Sequence, residues 1–110
     1  MEISEIEKSK RFNFDRLIEY ANGAIVSKTI LKKETGNISL FSFDKNEGLS
    51  EHTAPFDALV QIIDGKAKII IDNIENILEN GDFIILPANV PHALKAVERF
   101  KMVLTMIKSQ

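Results

Sequence analysis

The chain contains no cysteine and no tryptophan, and its 110 residues include one tyrosine. The lack of cysteine excludes a disulfide scaffold, a thiolate zinc site and a cysteine nucleophile. With no tryptophan and one tyrosine, an aromatic platform for single-stranded nucleic acid is not expected. Fourteen basic residues against sixteen acidic ones give a formal net charge of −2, so the concentrated basic surface of a general nucleic-acid binder is missing as well.

Long apolar runs are also missing. No run approaches the roughly 20 residues that a membrane span needs, and the opening MEISEIEKSKRFNF lacks the apolar core of a signal peptide. Neither a glycine-rich phosphate cradle nor a nucleophile elbow is found. The length and a composition of 45% hydrophobic and 27% charged residues are typical of one globular domain. We therefore expect a cytoplasmic protein with no membrane or nucleic-acid partner.

What the sequence does contain is a series of short β-branched runs broken by turn residues. The segment 12–20 predicts a short helix or an irregular clip, and Gly65-Lys66 predicts a tight turn between two strands. Strand runs about ten residues apart are typical of a sandwich or a closed barrel. We therefore divide the chain into an N-terminal arm, 1–23, and a barrel, 24–110. The predicted strands are 24–31, 38–43, 58–64, 67–72, 75–80, 83–86, 92–97 and 100–107.

Two motifs within the strand pattern are more specific. His52 is followed by Gly65 thirteen positions later, and fifteen residues separate this stretch from the second motif. There, Gly81-Asp82 leads through an apolar strand to Pro87, and His92 lies five positions after that proline. This pattern resembles the two conserved motifs of the cupin family. The resemblance implies an all-β fold, a small antiparallel jelly-roll barrel.

The same resemblance implies a metal site of which half is missing here. In the family, two histidines and a glutamate of the first motif and one histidine of the second hold a divalent metal. On this sequence those positions are His52, Ala54, Ala58 and His92. Two histidines alone hold a metal weakly. Asp57 could add a carboxylate, although strand alternation directs it to the other face from Ala58 unless a bulge after Pro55 shifts the register. We expect either no metal or a weakly held zinc, nickel, manganese or iron ion on His52, Asp57 and His92.

Two alanines in place of metal ligands make the barrel cavity larger and less polar, which suits an organic guest. Our first hypothesis is therefore a small-molecule binding protein with His52 and His92 as polar anchors. Its cavity walls would come from Val60, Ile62 and Leu94, together with the methionines. The alternative is a metal-dependent enzyme of the dioxygenase or isomerase type with a degenerate site. A third hypothesis is an assembly or regulatory barrel without chemistry.

The apolar strand runs predict self-association. The runs 69–71 and 83–86 carry more apolar surface than a barrel of this size buries internally, so we expect a homodimer. The N-terminal segment up to Tyr20 is expected to pack onto the barrel or onto the partner.

Overall fold

The computed structural model describes residues 6–108, so residues 1–5 of the predicted arm and residues 109–110 of the predicted barrel lie outside it. The described part of the chain is almost entirely β, and all its strand pairings are antiparallel. In residues 6–108, no helix is both long and apolar enough to span a membrane. The elements are α1 (Phe14–Leu17), β1 (Ile25–Lys33), β2 (Gly36–Phe43), β3 (Gly48–His52), β4 (Asp57–Ile71), β5 (Ile74–Glu79), β6 (Phe83–Leu86) and β7 (His92–Ile107).

Two long strands, β4 and β7, form the spine of the fold. They pair from Asp57–Ile107 to Ile71–His92 with an interruption at the bend, where the register shifts on either side of Asp64 and Gly65 and residues 97–99 of β7 fall outside the pairing. The predicted turn at Gly65-Lys66 is wrong, because β4 continues as one strand from Asp57 to Ile71 and pairs with β7 on both sides of the bend. Gly65 has a φ of +82°, which a glycine adopts without strain. The predicted break between 97 and 100 is likewise absent, because β7 is continuous there.

The bend divides the strands between two facing sheets. The first sheet has the order β1-β2-β7-β4-β6 and uses the first half of β4 and the second half of β7. The second sheet has the order β3-β7-β4-β5 and uses the other two halves. The predicted jelly-roll barrel is confirmed. Asp57 at the start of β4 accepts a hydrogen bond from Ala88 N, and Asp72 N, just after β4, donates to Pro91 O. The loop before β7 therefore holds both ends of β4 at one end of the barrel, which we call the mouth.

Alternation along β4 selects the residues that fill the barrel. Ala58, Val60 and Ile62 are buried before the bend, and Ala67 and Ile69 are buried after it. At the bend, the rings of Phe43 and Phe100 stack with centroids 4.4 Å apart. Fully burying an aliphatic side chain contributes about 1.5–3 kcal/mol relative to exposure, so this interior is the main source of stability. The largest buried side chains are Phe43, Phe100, Leu40, Ile62, Ile69, Met102 and Val60.

The N-terminal arm packs on the outer face of the first sheet. One helical turn, α1, begins after Asn13, whose side-chain oxygen accepts a hydrogen bond from Asp15 N at 2.9 Å. The chain then becomes extended, and Ile18 is buried against apolar side chains of β1, β2 and β7. Segment 12–20 is thus both a short helix and an extended clip. The apolar outer face of this part of the sheet is covered by the arm.

Candidate functional site

The two histidines lie side by side at the mouth. His52 is the last residue of β3 and His92 the first residue of β7, and the two are register partners in the second sheet. Register partners direct their side chains to the same face of a sheet. The imidazole centroids are 4.3 Å apart, with the ring planes at 66°. His92 is buried and His52 is exposed, so the pair connects the barrel interior to solvent.

The backbone determines which ring nitrogens are free. Nδ1 of His52 lies 2.8 Å from the carbonyl oxygen of Ser50, and Nδ1 of His92 lies 3.2 Å from that of Val90. A carbonyl oxygen only accepts hydrogen bonds, so each Nδ1 carries the proton and donates it. In a neutral imidazole the other nitrogen, Nε2, then has a free lone pair. The site therefore offers two acceptor nitrogens.

Apolar side chains surround the pair. Leu94 follows His92 on the same face of β7 and is buried. Ile71 of β4 is the register partner of His92, and Leu49 of β3 is the register partner of Leu94. Both Ile71 and Leu49 are half-buried and pack against the core. Sequence analysis missed these two residues, because only the register of three strands that are distant along the chain places them beside the histidines.

The two alanines at the remaining family positions also lie at the mouth. Ala58 is buried on the interior face of β4, where its register partners are Met106 and Leu86. Ala54 is half-buried in the loop after β3, and its carbonyl oxygen accepts a hydrogen bond from Asn89 N at 2.7 Å. This bond ties the loop before β4 to the loop before β7.

Asp57 does not join the histidines. It is exposed and adjacent to the buried Ala58 on β4, as alternation requires. Its Oδ1 accepts a hydrogen bond from Ala88 N at 2.8 Å, so the carboxylate holds a loop in place. Among residues 6–108, no group of three or more histidine, aspartate or glutamate side chains is placed to hold a metal ion. Two imidazoles and two methyl groups do not fit the four-ligand set that the resemblance implies.

The three residues predicted to line the cavity differ in their exposure to solvent. Val60 and Ile62 have no accessible surface and belong to the packed core below the mouth. A side chain with no accessible surface does not line a cavity that is open to water, so these two do not form an open wall. Leu94 retains a trace of exposure and packs in the same cluster. The surface within reach of the histidines is shallower than the sequence predicts.

A second polar cluster lies at the bend, away from the histidines. The hydroxyl of Tyr20 donates to Asp64 Oδ2 at 2.5 Å, and its ring lies 4.8 Å from the guanidinium of Arg99 and 5.2 Å from Nζ of Lys101. Burial raises the pKa of Tyr20, and the hydrogen bond to Asp64 raises it further. Lys101 is buried and donates to both the carbonyl and a carboxylate oxygen of Asp15. Each of these groups has a partner within the chain, so the cluster attaches the arm to the barrel.

Comparison with known proteins agrees with this architecture. Residues 39–108 match the family of cupin domains. A conserved protein of unknown function from Streptococcus pyogenes is 34% identical, with 98% of this chain and 95% of that chain covered and a TM-score of 0.91. A cupin superfamily protein from Desulfitobacterium hafniense is 28% identical, with 99% and 100% covered and a TM-score of 0.89.

A third similar structure is longer. A cupin 2 conserved barrel domain protein from Leptotrichia buccalis is 42% identical over 88% of this chain but only 47% of its own length, with a TM-score of 0.85. No curated protein matches the chain. The family match over residues 39–108, the 34% identity along nearly the whole chain and the two-sheet barrel agree with one another. The chain belongs to the cupin family.

Proposed function

We propose that this cupin barrel binds a small organic molecule at its mouth, with His52 and His92 as the polar anchors. The observation that carries the proposal is the histidine pair itself. Both Nδ1 atoms are hydrogen-bonded to backbone carbonyls, and within residues 6–108 neither Nε2 has a hydrogen-bond partner. Two of the four ligand positions that the resemblance implies hold the methyl groups of Ala54 and Ala58.

The chemistry of the pair defines the ligand class. Two Nε2 acceptors match a hydroxyl, amide or ammonium group, each of which donates hydrogen bonds. The side chains of Leu49, Ile71 and Leu94 match an apolar body. A hydrogen bond contributes about 0.5–1.5 kcal/mol net, whereas burying about 150 Å² of apolar surface contributes about 4 kcal/mol. Apolar contact therefore provides most of the affinity, and the histidines select the orientation and the donor group.

Matched ligands test this proposal. Full-length protein treated with a chelator is titrated with cyclohexanol and with cyclohexanecarboxylate at about pH 8, where an ordinary imidazole is neutral. These probes share a ring and differ in whether they donate a hydrogen bond. We expect cyclohexanol to shift the NMR resonances of His52, His92 and Leu94 and to bind more tightly than the acid.

Two variants complete the test. We expect His92→Ala to weaken cyclohexanol binding about tenfold, the effect of losing about 1.4 kcal/mol. Ile77→Ala, on the outer surface of β5, is the matched control and leaves binding unchanged. Tighter binding of the acid, or cyclohexanol binding that survives His92→Ala, contradicts the proposal.

The metal content of the protein tests the alternative, a metal-dependent enzyme. Elemental analysis measures the metal bound per chain in untagged protein as purified. The measurement is repeated after addition of zinc, nickel, manganese or iron and removal of the unbound metal. The proposal expects well under one equivalent. One tightly held equivalent that is lost in His92→Ala supports a dioxygenase or isomerase type of cupin instead and overturns the proposal.

A further inference from the structure

The arm covers only part of the outer face of the first sheet. On β4 and β6, Leu59 is 37% exposed, Phe83 56% and Ile85 61%. Leu59 is the register partner of Ile85, and Gln61 is the register partner of Phe83. These four residues form one continuous surface without a charged side chain, which we call the β4–β6 face. The arm's cluster reaches β4 at Ile63, and beyond it Leu59, Phe83 and Ile85 keep more than a third of their surface exposed.

The size of this face matches the apolar centre of a protein interface. With roughly 200 Å² for a fully exposed side chain of this size, Leu59, Phe83 and Ile85 expose on the order of 300 Å² together. One side of a stable interface buries about 800 Å², of which somewhat more than half is apolar. The face therefore supplies most of that apolar area. Its lack of charge argues against a nucleic acid or an anionic lipid surface as the occupant.

The backbone of β6 adds a second requirement. Among the described residues, β6 pairs only with β4, so its other side is a sheet edge. Ile62 N donates to Asp82 O at 2.9 Å. Residues on an antiparallel strand alternate between bonding to the neighbour and pointing away from it. Ile84 therefore bonds to β4, whereas the N–H and C=O groups of Phe83 and Ile85 point to the free edge.

An edge that carries two such residues, separated by one position, can pair with the identical edge of a second copy. When a second β6 lies antiparallel with Ile84 opposite Ile84, Phe83 of each copy faces Ile85 of the other. Each of these pairs exchanges two hydrogen bonds, and all their side chains lie on the same outer face. A two-fold symmetric pair thus satisfies the free backbone groups of β6 and joins the two apolar faces into one surface. Isologous dimers of this kind are the commonest oligomers.

We propose that the chain forms a two-fold symmetric homodimer by antiparallel pairing of its β6 edges, with the β4–β6 face continuous across the two copies. This proposal is independent of ligand binding, because neither histidine belongs to the face. The proposal also distinguishes between the two apolar runs, 69–71 and 83–86, on which the dimer prediction rests. Ile69 is buried in the core, while Phe83 and Ile85 are available to a partner.

The first test is the mass in solution. Light scattering and sedimentation equilibrium of the full chain, from about 1 to about 100 µM, are expected to give twice the chain mass of 12.4 kDa at the upper end. Ile85→Lys places a charge at the centre of the interface and is expected to weaken dimerisation at least tenfold. Phe83→Ser provides a second variant with the same expectation. Ile77→Lys, which replaces a 53% exposed isoleucine on β5, is the matched control and remains dimeric.

The second test is amide hydrogen exchange at the two ends of this concentration range. The amides of Phe83 and Ile85 are expected to gain protection in the dimer, whereas that of Ile84, already bonded to β4, is protected at both concentrations. A monomer throughout the range overturns the proposal. So does a dimer that survives Ile85→Lys and Phe83→Ser, a dimer lost in Ile77→Lys instead, or a dimer without added protection at Phe83 and Ile85.

Discussion

At the bend of β4, Gly65 combines a positive φ with close contact to the partner strand. A Cβ built on it overlaps the carbonyl group of Arg99 and lies 2.7 Å from the Cα of Phe100. Neither neighbour is a flexible side-chain end, so the clash can be relieved only by separating β4 from β7. The size of residue 65 is therefore restricted by long-range pairing as well as by its own dihedral angles.

We expect Gly65→Ala to lower the free energy of unfolding by at least about 3 kcal/mol, the sum of left-handed strain and backbone overlap. Gly81→Ala is the matched control. Gly81 has a φ of +97°, but a Cβ there meets nothing within 4 Å, so only the strain of about 1–2 kcal/mol remains. Urea unfolding of both variants measures the difference. Equal losses contradict the overlap at the bend.

A second prediction at the residue scale concerns the two alanines at the mouth. Ala54→His combined with Ala58→Glu restores the ligand types of the family at both positions. Ala58 is buried between Met106 and Leu86, so we expect the added volume to cost about 1–3 kcal/mol without metal. Binding should then add about 2.7 kcal/mol at a metal concentration of about one hundred times Kd.

The thermal midpoint with and without nickel or zinc measures this effect. Ala54→Asn with Ala58→Gln is the control, because it adds similar volume without an imidazole or a carboxylate. We expect a metal-dependent rise only in the His/Glu variant. A folded His/Glu variant with no such rise contradicts the assignment of these four positions to one site.

At the scale of elements, the attachment of the arm depends on Tyr20. Its hydroxyl donates to Asp64 on β4, and its ring contacts the cations of Arg99 and Lys101 on β7. Because burial, followed by the bond to Asp64, raises the pKa of Tyr20 above the ordinary 10.0, folding favours the protonated phenol. The associated stability is complete below pH 10 and is lost as the pH rises towards the folded pKa.

Tyr20→Phe removes the hydroxyl and keeps the ring. At neutral pH we expect a loss of about 1–2 kcal/mol, the usual contribution of a hydrogen bond to a charged acceptor that is partly exposed to solvent. The difference between the two proteins should shrink above about pH 10. Denaturant unfolding at neutral and alkaline pH checks this. A difference that stays constant with pH contradicts the proposed role of the hydroxyl.

At the scale of the whole molecule, β4 and β7 belong to both sheets, so neither sheet can unfold while the other remains intact. The buried side chain of the arm packs in one cluster with buried side chains of β1, β2 and β7. We therefore expect one cooperative transition that includes the arm. Because the chain has one tyrosine and no tryptophan, Tyr20 fluorescence reports on the arm and far-UV circular dichroism reports on the sheets.

The two transitions should coincide in a denaturant titration. Tyr20→Phe gives the fluorescence background. A tyrosine transition at a lower denaturant concentration than the circular dichroism transition means that the arm separates first, which contradicts a single cooperative unit.

The local pattern of the sequence was enough to predict much of this molecule. Alternation placed Asp57 and Ala58 on opposite faces of one strand, and the spacing of His52 and His92 identified the family and its half-missing ligand set. Strand β3 was not predicted, because Gly48–His52 is too short and polar to show a strand pattern. A glycine between two β-branched runs is typical of a turn and of a bend alike, so the local pattern at Gly65 predicts a turn where the strand bends.

The sequence by itself determined the barrel family and most of the strands, since these depend on nearest neighbours and on residue type. Only the tertiary structure decided that Leu49 and Ile71 lie beside the histidines, that Val60 and Ile62 are sealed in the core, and that Phe83 and Ile85 stay exposed. Each of these depends on the register between strands far apart in the chain, and a shift of one residue exchanges the inner and outer faces.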